Sequence, residues 1–309
     1  LERISKINHI VFDKTGTLTE NNKMEITYEG ELLNNANKVL LKSIVKNSNH
    51  PLSRLLYDEF KENETVILQN WEEDLGKGLV ASYKNDIYKL GSNKWLNKND
   101  LSEDNKTKVL FVKNNEVIGK FIFKNIYRKG IQDMIRLISN EIKTSLLSGD
   151  SDSERAKLST FFRENSIMLF NQNPEEKLNF INNFQQNKKD SIMMIGDGLN
   201  DAGALHVSDV GIALSDNINS FSPSCDVIMK SSLLKDFNTI LHKINQSKKI
   251  IYVSLFISLL YNITGLLFAV TGNLNPLVAA ILMPLSSISV VLFTTISTNS
   301  IFNTFRPKN

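Results

Sequence analysis

The chain has 309 residues, 41% hydrophobic and 22% charged, which is room for two or more domains in an ordinary globular composition. Its 36 Lys and Arg against 33 Asp and Glu leave a net charge of only +3, and no basic stripe interleaved with aromatics occurs, so nucleic acid is set aside as a partner. The single cysteine, Cys225, excludes an internal disulfide, and with no CxxC or Cys/His cluster a reducing compartment and no structural zinc are the default reading; Cys225 reads as a small buried residue.

The chain starts at Leu1 and enters its first strand within a few residues, with no signal peptide, as a piece cut from a longer protein would. Residues 7–19 read INHIVFDKTGTLT. The apolar run Ile10-Val11-Phe12 predicts a short buried strand with Asp13 at its carboxyl end and a turn at Gly16. In an open α/β sheet that is where ligands bind. A carboxylate there serves as a metal ligand, an acid or base, a nucleophile, or simply a helix cap.

Residues 20–31 are polar with a strand over 24–28, and 37–45 and 52–60 read as helices separated by Asn49-His50-Pro51, where Pro51 is ordinary helix-start punctuation. Gly76-Lys77-Gly78 follows, and two glycines so spaced before a strand permit close backbone approach to a flat ligand. Short strands are expected over 79–83, 87–91, 109–112 and 117–123. From Arg128 the α/β alternation resumes: a helix over 129–139, then a strand over 143–147 ending at Ser148-Gly149-Asp150, whose hydroxyl and N–H groups suit a phosphate. A strand over 166–170 and a helix opened by Pro174 and carrying Lys177 lead to a second buried strand, Ile192-Met193-Met194-Ile195. It delivers Asp197 to the same sheet edge within GDGLNDAGAL, residues 196–205. Two carboxylates at neighbouring strand ends suit Mg²⁺. Last strands over 210–214 and 226–229 precede a helical stalk over 235–249.

Between Ile250 and Phe305 the sequence contains no Asp, Glu, Lys or Arg. About 20 apolar residues span a bilayer, so two membrane helices are expected, near 251–270 and 277–298, with a turn at Gly272-Asn273-Leu274-Asn275-Pro276. A buried hairpin in a soluble core is the alternative. Lys248 and Lys249 before the tract, and Arg306 and Lys308 after it, put both ends in the cytoplasm. Tyr261-Asn262 falls mid-way along the first helix, and Met283 with Ser286 and Ser287 falls on one face of the second. Such groups either pack helices or form a transport site.

DKTGTLT at 13–19 resembles the phosphorylation motif of P-type ATPases. His50-Pro51, Gly76-Lys77-Gly78 and Gly91-Ser92 resemble the nucleotide-binding domain of the heavy-metal-transporting branch. Ser148-Gly149-Asp150 resembles its TGD motif, and GDGLNDAGAL its GDGxNDAPAL hinge. The resemblance implies an α/β fold: a haloacid dehalogenase-like Rossmannoid phosphorylation domain (1–20 and 122–247), an inserted α+β nucleotide-binding domain (21–121) and a two-helix transmembrane hairpin (248–305). It implies Asp13 as phosphoryl acceptor, with Lys177, Ser148, Gly149 and Asp150 as catalytic companions. ATP is to be held by His50, Pro51, Gly76, Gly78, Lys14, Thr15, Asn200 and Asp201, and Mg²⁺ by Asp13, Asp197 and a backbone carbonyl near Thr15. Thr15 stands where related phosphatases carry an acid/base, so an acyl phosphate should persist.

Tyr261-Asn262 and Met283-x-x-Ser286-Ser287 resemble the cuprous branch, with Met283 as a soft ligand for Cu(I). The implied protein is the carboxyl-terminal half of a Cu(I)-exporting pump, multi-pass in a bacterial inner or plasma membrane with its soluble domains cytoplasmic. Its partners are a separate amino-terminal half bearing the actuator domain and the remaining helices, and a copper chaperone. Neither the actuator's Thr-Gly-Glu nor the Cys-Pro-Cys helix motif occurs in the chain. Val45 and Asn49 replace acids expected near the adenine, Asn125 replaces an Asp and so costs a charge, and Gly203 replaces a Pro. Two other readings stand beside this one: a phosphatase or phosphomutase of the same superfamily, and an inert ATP-binding partner of a separate amino-terminal half.

Overall fold

A computed structural model describes residues 2–62, 64–74, 76–96, 107–186, 190–198, 200–216, 225–272 and 276–303. Residues 273–275 of the anticipated turn, Phe305, Arg306 and Lys308 lie outside them. Strand β1 (His9–Asp13) is buried along its whole length, as a strand in the middle of a parallel sheet must be. The wide turn at Lys14–Leu18 follows, with Gly16 at φ 76°. A Cβ there would sit 2.4 Å from Asn21 Oδ1 and 3.2 Å from Asp197, so both the backbone conformation and the space require glycine.

β2 (Thr19–Gly30) carries the chain into a second sheet. Helix α1 (Asn35–Val45) is capped by Asn34, whose Oδ1 accepts from Asn37 N at 2.8 Å. α2 (Pro51–Glu59) has Pro51 in its first turn and His50 as its cap. Then come β3 (Asn70–Asp74), β4 (Gly78–Tyr83), β5 (Asp86–Gly91), α3 (Asn93–Leu96), β6 (Thr107–Lys113) and β7 (Glu116–Tyr127). The antiparallel order is β2-β7-β6-β5-β4-β3, and α1 and α2 cover one face through Leu41, Ile44, Leu56, Phe111 and Phe121. β3 and α3 were not foreseen. β3 is an edge strand of sequence NWEED, and an edge made of charges carries no apolar signal. β7 runs on past residue 122, pairing Tyr127 with Thr19.

The chain returns where Arg128 N donates to Leu18 O at 2.9 Å. α4 (Ile131–Ser139), β8 (Lys143–Leu147), α5 (Arg155–Leu158), β9 (Ile167–Leu169), α6 (Pro174–Gln186), β10 (Ile192–Gly196), α7 (Ala202–Val207), β11 (Val210–Ser215) and β12 (Val227–Lys230) complete the first sheet. Its order is β12-β11-β10-β1-β8-β9, all parallel. Ile10 and Phe12 face one core with Met134 and Ile135, while Val11 faces the other with Ile181 and Met194. After β1 the chain builds β8 and β9 to one side and then crosses to build β10, β11 and β12 on the other. The crevice at the carboxyl ends of β1 and β10 is therefore a topological switch point.

The expected stalk and first span form one helix, α8 (Phe237–Val270), 34 residues without a break; nothing between Lys249 and Ile251 interrupts helical hydrogen bonding. Phe237 and Leu241 anchor its start in the core. α9 (Pro276–Asn303) packs back along it. Both helices are long and apolar enough to cross a membrane, and their apolar spans are unburied by the rest of the chain.

Candidate active site

β1 ends by placing Asp13, 3% exposed, in the switch-point crevice. The register pairs Phe12 with Ile195, so Asp13 and Asp197 leave adjacent strand ends together. Lys177, in the first turn of α6, donates from Nζ to Asp13 Oδ1 at 2.5 Å and to Asp201 Oδ1 at 2.7 Å. Asp201 is 1% exposed at the start of α7, and it lies so close to Gly196 that a Cβ on that glycine would meet Asp201 Oδ2 at 2.6 Å.

Two carboxylates thus share one ammonium, and the charge of Asp197 acts on both of them. Burial first, then the charges of Asp201 and Asp197, push the Asp13 carboxyl up to about 7 against the pull of Lys177. Asp201 is likewise raised by burial, with Lys177 opposing. Surplus negative charge at the end of a sheet is a cation site by electrostatics. Among the described residues no three His, Cys, Asp or Glu side chains form a ready-made metal cage. Two carboxylates with water and phosphate oxygens suit Mg²⁺, which rarely takes an all-protein cage, so Asp13 and Asp197 fit that ion.

The turn after β1 is held by a second buried lysine. Lys14, 1% exposed, pairs with Asp150 Oδ2 at 2.6 Å and Glu154 Oε2 at 3.0 Å. Thr15 Oγ1 donates to Asp150 Oδ2 at 2.9 Å. Burial opposes ionisation of Asp150, but Lys14 and Thr15 outweigh it and hold the carboxyl below its usual range. Asn125 Nδ2 and Tyr127 OH also donate to Glu154 Oε2, at 2.8 and 3.1 Å. Arg128 donates to the carbonyls of Gly16 and Thr17 at 2.9 and 3.0 Å. Ser148, fully buried, accepts from Asp150 N at 3.1 Å and gives its own N–H to Leu169 O, which shapes the loop around Gly149.

Lys14 and Asp201, expected against the nucleotide, are both engaged in buried ion pairs, because a charge removed from water needs a counter-charge. Asn200 is exposed. Asn125 was expected to cost a charge; Glu154, a residue not singled out beforehand, brings a carboxylate to that place.

In the second sheet a cavity of about 550 Å³ is lined by His50, Gly76, Gly78, Gly91 and Glu73, among others. His50 Nδ1 accepts from Leu52 N at 3.3 Å, and Pro51 opens α2 beside it. Val45 is wholly buried in the core and does not line this cavity, whereas Glu73, from the unforeseen edge strand, does. Between the long helices Tyr261 OH meets Ser289 Oγ at 3.0 Å. Met283 is 75% exposed, Asn262 and Ser287 are also exposed, and Ser286 is half-buried. The hairpin thus joins Tyr261 to Ser289 and leaves Met283 on its outer surface. Ser289 was missed, although it lies one turn beyond Ser286 on the same face.

The model of the haloacid dehalogenase-like hydrolases matches residues 7–209. A copper-transporting ATPase of Helicobacter pylori is 30% identical over 94% of this chain and 42% of its own length. A copper-exporting P-type ATPase of Staphylococcus aureus is 28% identical over 94% of this chain and 38% of its own. The chain therefore spans less than half the length of these curated relatives. A zinc-transporting PIB-type ATPase in its E2.Pi state is similar in fold, with a TM-score of 0.77 at 20% identity over 96% of this chain and 51% of that one. The catalytic CPx-ATPase domain CopB-B has a TM-score of 0.58 at 26% identity over 79% of this chain and 91% of that one.

Proposed function

The chain belongs to the haloacid dehalogenase-like hydrolase family, and from that premise we propose that it carries the phosphorylation machinery and two membrane helices of a heavy-metal-exporting P-type ATPase. The observation that carries this reading is the buried Lys177–Asp13 ion pair at the carboxyl end of β1. An Asp13 oxygen attacks the γ-phosphorus of ATP, a bond forms from that oxygen to phosphorus, and the bond to the bridging oxygen breaks as ADP leaves with the electron pair. Lys177 moves from neutralising Asp13 to neutralising the transferred phosphoryl, as a point charge can. Ser148, Gly149 and Asp150 frame the phosphate from the neighbouring strand. Asp13, Asp197 and a carbonyl near Thr15 would hold Mg²⁺, which would supply charge neutralisation for the transferred group.

Thr15 carries no proton-abstracting group and its hydroxyl is committed to Asp150, so water near the acyl phosphate lacks a general base from this turn. The aspartyl phosphate then lasts long enough to drive a conformational change. His50, Pro51, Gly76 and Gly78 are proposed to hold the adenine end of ATP, in 21–121 as a nucleotide-binding domain inserted into 1–20 and 122–247. A bacterial inner or plasma membrane is the proposed location, entered through the hairpin over 248–305, with the soluble domains on the cytoplasmic side; the two long apolar helices support this reading. Cu(I) is the proposed cargo, on the soft thioether of Met283 with Tyr261, Asn262, Ser286 and Ser287. That site needs helices from an amino-terminal half with an actuator domain, and a copper chaperone is the proposed donor.

The test is acid-stable incorporation of ³²P from γ-labelled ATP with Mg²⁺, into this chain and its Asp13→Asn variant. Hydroxylamine-labile label present only in the parent chain is expected; no label in a folded chain that binds ATP would overturn the reading.

A further inference from the structure

We propose that Glu154 is a positioning residue for phosphoryl transfer: with Asn125 and Tyr127 it holds Lys14, and through Lys14 the turn that presents Asp13, and residue 125 is an amide because residue 154 is the acid. The inference rests on the reading of Asp13 as phosphoryl acceptor. Lys14 follows Asp13 directly in sequence and its ammonium is almost sealed from water. A buried ammonium is tolerated only where geometry and counter-charge are both supplied. Asp150 supplies one oxygen, 2.6 Å away, and that same oxygen takes the Thr15 hydroxyl. Glu154 supplies the other at 3.0 Å.

What distinguishes Glu154 is where its remaining bonds go. Asn125 and Tyr127 both lie on β7, paired to the first strand of the inserted sheet through Asn125–Met24 and Tyr127–Thr19. One carboxylate oxygen therefore receives donors from the catalytic turn and from the strand by which the inserted sheet rejoins the parallel one. An oxygen surrounded by three donors cannot face a fourth acceptor: an aspartate at 125 would set like charges about 3 Å apart, which destabilises both. The acid and the amide are thus reciprocal, and exchanging them preserves one charge and one amide in the network.

The experiment compares ³²P incorporation from γ-labelled ATP by the 309-residue chain in detergent, by Glu154→Gln, by Asn125→Asp and by the exchange variant carrying both. Each single change is expected to slow labelling at saturating ATP by roughly ten-fold or more, the size of effect that a small displacement of reacting groups produces. The ATP concentration for half-maximal labelling stays unchanged, because the cavity lined by His50 and Gly78 is untouched. The exchange is expected to recover labelling to within about three-fold of the parent, as coupled neighbours do. Labelling of Glu154→Gln at the parent rate, or an exchange variant no faster than the slower single, overturns the proposal. If the parent takes no label, the acceptor reading fails on its own, and thermal melting of the same four proteins decides the tie: mutual rescue of melting temperature sustains it, and additive loss ends it.

Discussion

Two buried lysines flank the end of β1, each clamped by two carboxylates, and they differ in what the clamp is for. Lys177 bonds Asp13 and Asp201, and one of those partners is the group proposed to react, so the charge it balances changes during the reaction. Lys14 bonds Asp150 and Glu154, neither of which reacts, and its neighbours Thr15, Asn125 and Tyr127 add neutral hydrogen bonds. On the proposed reading the first clamp gives up a partner and the second is a fixed brace that aims the turn, so that similar ion-pair chemistry would serve catalysis in one place and geometry in the other.

The largest effect that separates them is on labelling. Lys177→Met removes the cation facing the transferred phosphoryl and should slow ³²P incorporation by about 10²–10³-fold, the scale set by deleting one preorganised charge donor. Lys14→Met should slow labelling by about the ten-fold expected of Glu154→Gln, less than Lys177→Met does, and should cost more in folding, at about 3–5 kcal/mol in urea unfolding, because it strands two partly buried carboxylates. Equal loss of rate and of stability in the two variants would erase the distinction.

pH sharpens it next. Asp13 is raised by burial and by neighbouring acids to about 7, so in the metal-free chain it keeps a proton that the unfolded chain releases near its ordinary value of about 4. Its stabilising contribution is complete below that value and is lost as pH rises through about 7. Asp150, held low by Lys14 and Thr15 against burial, has the opposite sign: its contribution is present above the ordinary carboxylate range and is lost only as pH falls into acid. In EDTA, the melting temperature of Asp13→Asn should therefore depend less on pH between about 5 and 8 than that of the parent, while Asp150→Asn should keep the parent slope there. Identical slopes in all three proteins would show that Asp13 is not held protonated.

The smallest expected effect lies far from both clamps. Tyr261→Phe removes one interhelical hydroxyl contact with Ser289 and should cost about 0.6 kcal/mol, the average for such bonds between membrane helices. A much larger loss in steric-trapping or denaturant measurements in bilayer mimics would mean that the hairpin depends on this pair.

Much of this molecule is legible in local sequence. Apolar runs ending in Asp13 and at Gly196, just before Asp197, predict buried parallel strands because a strand covered on both faces must be apolar throughout. Lys177 follows from resemblance and order along the chain, and the two long helices follow from the uncharged tract, since hydrocarbon excludes charge over a fixed thickness. What sequence could not determine is which charges meet. Glu154 reaches Lys14 across 140 positions, Glu73 enters the cavity of the second sheet from an edge strand with no apolar pattern, and Tyr261 finds Ser289 while Met283 faces outward. Burial along a strand or helix is periodic and is written into residues that are neighbours in sequence. The pairing of buried charges depends on distances between elements far apart in the chain, and only the packed fold sets those.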